Sequence, residues 1–215
     1  MPALRLPPTT ASCLTGLVCV AMLGGCSTTT APKAPAPARV EVQEEVGFTI
    51  MEAGRISNDV RLDYDEALRL LRRGDLRAGI ASLEAVVTAA PYLMAPLIDL
   101  GIAYHQVGDF AAAERNLLLA LNANPDHPIA HNELGIVYRK TGRFFKARQS
   151  YEAALAIYPG YHYARRNLAV LCDLYLADLD CALANYEAYM TTVSVDDEAA
   201  MWMADARYRA GQSEE

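Results

Sequence analysis

Gly74, Gly108 and Gly142 stand 34 residues apart, and Pro91, Pro125 and Pro159 keep the same interval. Two residue types in phase over three units mark an internal repeat. A unit this short cannot bury an apolar face by itself, so a chain built from such units must stack each on the next and share one continuous core.

The residues between the markers say what the unit is. Leu100, Gly101, Tyr104, Gly108, Phe110, Ala113, Ala120 and Pro125 recur one interval later as Leu134, Gly135, Tyr138, Gly142, Phe144, Ala147, Ala154 and Pro159, with Tyr151 added. Small residues at Gly101, Gly135, Ala113 and Ala147 suit two antiparallel helices crossing closely, and Tyr104, Tyr138, Phe110 and Phe144 fill the space beside them. Gly108 and Gly142 follow a first helix, where a left-handed residue ends it cheaply. The prolines stop the second helix. This pattern resembles the tetratricopeptide repeat (TPR). The resemblance implies an all-α, right-handed superhelical solenoid of about four helix-turn-helix repeats with a C-terminal capping helix.

The expected units are 60–93, 94–127, 128–161 and 162–196. The first keeps Ala67, Leu70, Gly74, Leu83 and Pro91 but has Glu66 where Leu is expected. The fourth has Leu168, Ala169, Ala182 and Tyr186, with one extra residue in its turn and no Gly there. Residues 197–215 are read as a capping helix and tail, with Trp202 covering the open end of the stack. Residues 46–59 form a lead-in that reads equally as helix or as extended chain.

The first 25 residues read as an export leader. Arg5 is their one charge, and Ala11–Gly25 is an uncharged, mainly apolar run shorter than the roughly 20 residues a membrane-spanning helix needs. The run ends in Leu23-Gly24-Gly25-Cys26, which resembles the lipobox of bacterial lipoproteins. In that family the Cys becomes the N-terminus and carries a thioether diacylglyceryl group and an amide-linked acyl chain such as palmitate. Several chains together anchor stably where one is marginal. Ser27, rather than Asp, follows Cys26, which in that family favours the outer membrane with the domain facing the periplasm. Residues 26–45 hold the lipidated Cys and a Ser-, Thr-, Pro- and Ala-rich stretch that is expected to be a disordered tether. It would reach roughly 60 Å when extended.

The chain has 19 basic and 26 acidic residues, and loss of Arg5 with the leader takes the net charge from −7 to −8. That balance argues against nucleic acid and against an electrostatic membrane patch, leaving the lipid anchor as the membrane contact. Of the five Cys, Cys13 and Cys19 leave with the leader and Cys26 takes lipid, so Cys172 and Cys181 remain as a pair in an oxidising compartment. By the repeat register Cys172 faces the second helix of its unit near where Cys181 begins it. A disulfide stapling that hairpin is expected; two buried thiols are the alternative. His105, His127, His131 and His162 show no metal-ligand spacing, and neither a GxSxG elbow nor a phosphate-binding loop is present. No metal, cofactor or small-molecule substrate is therefore expected, and a binding protein is expected rather than an enzyme.

In the TPR family the first helix of each repeat lines a concave groove. Its inward positions carried across give Ile98, Ile102 and His105, then Asn132, Ile136 and Arg139, then Tyr163, Arg166 and Val170. This lining suits an extended segment or a helix from a protein partner. It departs from the TPRs that clamp a C-terminal carboxylate, because Ile98 and Ile102 stand at two of the clamp positions. The whole resembles TPR lipoproteins that assist pilus assembly, including pilotins that help secretins reach the outer membrane. The stretch Arg165-Arg166-Asn167-Leu168 through Leu171-Cys172-Asp173-Leu174-Tyr175-Leu176 also resembles TPR lipoproteins of Tol/Ton-like or gliding-type motors. The resemblance implies an adaptor for a trans-envelope machine, with a docking regulator of peptidoglycan hydrolases as the alternative.

Overall fold

The computed structural model describes residues 39–43, 47–51 and 56–211. Cys26, the leader and residues 26–38 of the expected tether lie outside the described residues. Strands β1 (Arg39–Gln43) and β2 (Gly47–Met51) pair antiparallel, Arg39 opposite Met51 and Gln43 opposite Gly47. This corrects one expectation and decides between two alternatives. Residues 39–43 of the 26–45 segment are strand rather than disordered tether, and within 46–59 the described backbone is extended over 47–51 and helical from Asn58. Val40, Val42, Phe48, Thr49 and Ile50 are strand-favouring residue types, which accounts for the difference.

Nine helices follow among the described residues. They are α1 (Asn58–Arg72), α2 (Leu76–Ala89), α3 (Met94–Gln106), α4 (Phe110–Ala123), α5 (Pro128–Lys140), α6 (Phe144–Ile157), α7 (His162–Leu171), α8 (Leu179–Thr192) and α9 (Asp197–Arg209). They pack as the pairs α1/α2, α3/α4, α5/α6 and α7/α8, and the second helix of each pair packs on the first helix of the next. No helix among the described residues is long and apolar enough to cross a membrane.

The repeated residues do what their spacing implies. A Cβ on Gly135 would lie 2.5 Å from Cε1 of Tyr151, so α5 and α6 approach at a distance that only glycine permits. Gly74, Gly108 and Gly142 have φ of 82°, 82° and 74° and end the first helices. One residue after each glycine, Asp75 and Asp109 cap α2 and α4 by accepting the N–H groups of Ala78 and Ala112. In the third unit Arg143 stands at that position instead. Its guanidinium makes a two-pronged bond to Glu114 at 2.9 and 2.8 Å, which ties the start of α6 back to α4.

The fourth unit absorbs its extra residue as a π-helical turn over Cys172–Leu176. The wider turn returns the chain to register, and Ala177 takes the left-handed position with φ 53°, the place glycine holds in the other units. The cap then resumes as Asp178 accepts from Cys181 N. Cys172 and Cys181 are joined by a disulfide with Cα atoms 5.9 Å apart, linking the π turn to α8. α9 closes the stack, with Ala199 and Ala206 buried and Trp202 packed on the core.

Candidate functional site

The first helices of the first three units bring their inner faces together around an open cavity of about 600 Å³. Ile98 and Ile102 of α3 form its floor with Val60 and Tyr64 of α1 and Ile129 of α5. Most of these positions are apolar because each must also pack against the neighbouring unit, and Ile102 both packs on the core and lines the cavity.

Polar groups on the rim are already engaged. The Tyr64 hydroxyl donates to a carboxylate oxygen of Asp99. Burial raises the Asp99 pKa above the ordinary carboxylate value, and the Tyr64 bond opposes that shift. His127 backs the cavity at 3 % exposure, and its Nδ1 accepts the Ala130 N–H at 3.3 Å as the cap of α5. Burial pushes the His127 pKa down to about 4, so the imidazole is neutral at pH 7.

Beyond the cavity the inward positions divide by role. Asn132 is buried, donates to Glu133 Oε1 at 3.0 Å and accepts from Asn167 Nδ2 at 2.9 Å. Ile136 and Val170 are half-buried against the core. His105 is half-buried with its ring 5.8 Å from that of Phe110. Burial, and then the charges of Lys140 and Arg139, hold its pKa down. Tyr163 is exposed, with its ring 4.1 Å from His162. Arg166 is taken up by the cap: it bonds Glu198 at 2.7 Å, pairs with Asp196 at 3.4 Å and lies 4.9 Å from the Trp202 ring. Arg139 has no carboxylate partner of this kind among the described residues.

The structure thus brings Ile98 and Ile102 into one cavity and assigns Asn132 and Arg166 to packing between units. It adds residues that the repeat register did not point to. Tyr64 sits in the degenerate first unit, and Asp99, Ile129, Tyr151 and Tyr175 lie outside the carried-over positions. For Tyr64 and Asp99 a 35-residue step was the available signal, since Asn132 and Asn167 share it. Among the described residues, Cys172, Asp178 and Cys181 are the one grouping of metal-ligand side chains. Their sulfurs are bonded to each other and Asp178 is held by Arg148 and the Cys181 N–H, so they do not make a metal site.

Paired antiparallel helices stacked with a 34-residue period, capped at one end and grooved along the first helices, define a tetratricopeptide-repeat fold. A family profile described as tetratricopeptide repeat matches residues 98–162, most of the second unit and all of the third. Several solved structures share the fold. MamA from Desulfovibrio magneticus RS-1, residues 41 to the end, is 20% identical with a TM-score of 0.65, over 74% of this chain and 89% of that one. PilF of Pseudomonas aeruginosa is 18% identical with a TM-score of 0.65, over 71% and 69%. A thermophilic TPR protein from Thermus thermophilus is 25% identical with a TM-score of 0.60, over 70% and 82%. No curated protein matches the chain. TPR folds are protein-interaction scaffolds that hold peptide segments in their groove.

Proposed function

We propose that the chain is an outer-membrane lipoprotein adaptor. It holds a segment of a protein partner against α1, α3 and α5, and so assembles or localises a trans-envelope complex of the pilus/secretin or Tol/Ton-like motor type. The observation that carries the binding role is the apolar cavity floored by Ile98, Ile102 and Ile129. An aliphatic or aromatic side chain loses water on entering such a surface, at about 25 cal/mol per Å² of apolar area. His127 is neutral and the Asp99 carboxylate is taken up by Tyr64, while Arg61 of α1 adds a cation to the lining. The anchor and the location rest on Cys26 and the leader before it, and the likeness to PilF is compatible with a pilus-type partner.

Capture from envelope extracts by the chain and by its Ile102→Asp/Ile136→Asp variant, with recovered proteins identified by mass spectrometry, tests the groove. Recovery of secretin or motor components by the parent and their loss from the folded variant is expected. Equal capture by both excludes the groove, and recovery of peptidoglycan hydrolases instead replaces the partner. Cys26→Ser is expected to move the protein out of the membrane fraction; unchanged fractionation would refute the anchor.

A further inference from the structure

Helices α1, α3, α5, α7 and α9 end on one edge of the stack, where the chain turns back into the second helices. This edge carries large apolar side chains in water. Phe145 at the start of α6 is 80 % exposed, Leu174 in the π turn 64 % and Tyr208 in the last turn of α9 77 %. Contacts between their sequence neighbours make them one strip. The Phe144 and Tyr175 rings lie 4.9 Å apart, and the Arg209 guanidinium bonds the Asp173 carboxylate. The turn of the third unit, the π turn and the end of the cap therefore stand side by side. Single exposed apolar residues are ordinary on a protein surface, but a run of them on adjoining turns marks an interaction site.

The strip is basic at one end. Arg139–Arg148 holds five basic residues and no acidic one, in a chain with a net charge of −7. Glu114 takes Arg143, and Glu152 with Asp178 takes Arg148. Lys140 and Lys146 are exposed and have no carboxylate partner among the described residues; the Lys146 ammonium lies 5.5 Å from the Tyr138 ring. Of the acids on the strip, Asp173 and Asp205 hold Arg209 and Asp178 caps α8, which leaves Asp180 exposed. The total charge speaks against membrane attraction for the surface as a whole, but the two lysines flanking Phe145 are a local exception.

We propose that this strip of turns rests on an anionic phospholipid surface, with Phe145, Leu174 and Tyr208 at the headgroup boundary and Lys140 and Lys146 on the phosphates. Apolar side chains leave water there and each lysine gains from the surface charge. A protein segment would need a hollow to fill, and none of the three apolar residues lines the groove cavity or the hollow of about 370 Å³ beside Leu118. A fluid surface instead yields to side chains that protrude. That a bilayer is within reach rests on the anchor reading above. α1 begins on the opposite edge, about 20 Å away for a helix of its length, and residues 27–38 span up to about 40 Å when extended. In this pose the helices stand up from the surface and the α1/α3/α5 groove opens sideways, clear of the lipid.

The test places a tryptophan on the strip as Phe145→Trp in the full chain, with the parent and its Trp202 as baseline. The protein is mixed with vesicles of phosphatidylethanolamine and phosphatidylglycerol, or of phosphatidylcholine alone, with brominated acyl chains as quencher. The introduced tryptophan is expected to shift to the blue and to be quenched in the phosphatidylglycerol vesicles. Quenching should be at least about threefold weaker with phosphatidylcholine, after Lys140→Gln/Lys146→Gln, and after Leu174→Ser/Tyr208→Ser. No quenching in phosphatidylglycerol vesicles would overturn the strip, as would equal quenching on both lipids or full quenching in the folded lysine variant. Loss of envelope-protein capture in Phe145→Ser, with the tryptophan unquenched by lipid, would give the strip to a protein instead. Flotation on phosphatidylcholine reports the anchor separately. Quenching without that flotation removes the anchor and leaves the strip, and flotation without quenching does the reverse.

Discussion

Asn167 Nδ2 donates to Asn132 Oδ1 at 2.9 Å across 35 residues of sequence, joining α7 to α5. Tyr64 and Asp99 join α1 to α3 by the same step. The intermediate step, from Ile98 to Glu133, has no such bond, since isoleucine offers none. The repeat therefore carries two polar rungs with an apolar step between them, and the groove cavity opens beside the first rung, against Tyr64, Asp99 and Ile98.

Removing either asparagine at the second rung should leave a buried amide unmatched. Asn132→Ala and Asn167→Ala are each expected to cost about 1–3 kcal/mol, and the double variant less than their sum. Urea unfolding of the four proteins measures the coupling. Strict additivity would show that the contact adds nothing beyond its separate groups.

The left-handed Ala177 is a second point where sequence and backbone disagree. A Cβ in that conformation costs about 1 kcal/mol, which glycine avoids. Ala177 is exposed, so nothing else is lost by the exchange. Ala177→Gly is expected to raise the unfolding free energy, read as a higher urea midpoint at unchanged slope, by up to about 0.5 kcal/mol after the extra freedom of glycine in the unfolded chain is counted. A lower midpoint would mean that the turn is held by something other than its φ angle.

These two sites show what could be read in advance. The three glycines and three prolines place the helices of units one to three because each residue type answers a local need, a left-handed cap or a stop, that owes nothing to the rest of the fold. The fourth unit was harder because its extra residue is taken up by a π turn and its cap falls on alanine, which carries no turn signal. In the groove the inward direction of Ile102 and Arg166 followed from register alone. Which of them stays available did not, because that is decided by residues far along the chain: Asp196, Glu198 and Trp202 engage Arg166. No carboxylate among the described residues does the same for Arg139.

His127 ties the cavity wall to pH. Its imidazole is buried, caps α5 through Nδ1, and has its pKa lowered from 6.5 to about 4 by burial, with the charge of His131 adding to that effect. A folded pKa below the unfolded value means that the unfolded chain binds the proton more tightly. The stability from neutral His127 is thus fully present above about pH 6.5 and is lost as pH falls towards 4. Between pH 7 and pH 5 the loss should be about 2 kcal/mol, to order of magnitude. His127→Asn keeps a side chain that can cap the helix but cannot titrate in this range, so its stability should be flatter over the same interval. Unfolding midpoints of the two proteins at pH 7, 6 and 5 decide the matter. Parallel declines would mean that the acid sensitivity resides elsewhere, and a flat parent would mean that His127 is protonated in the fold at little cost.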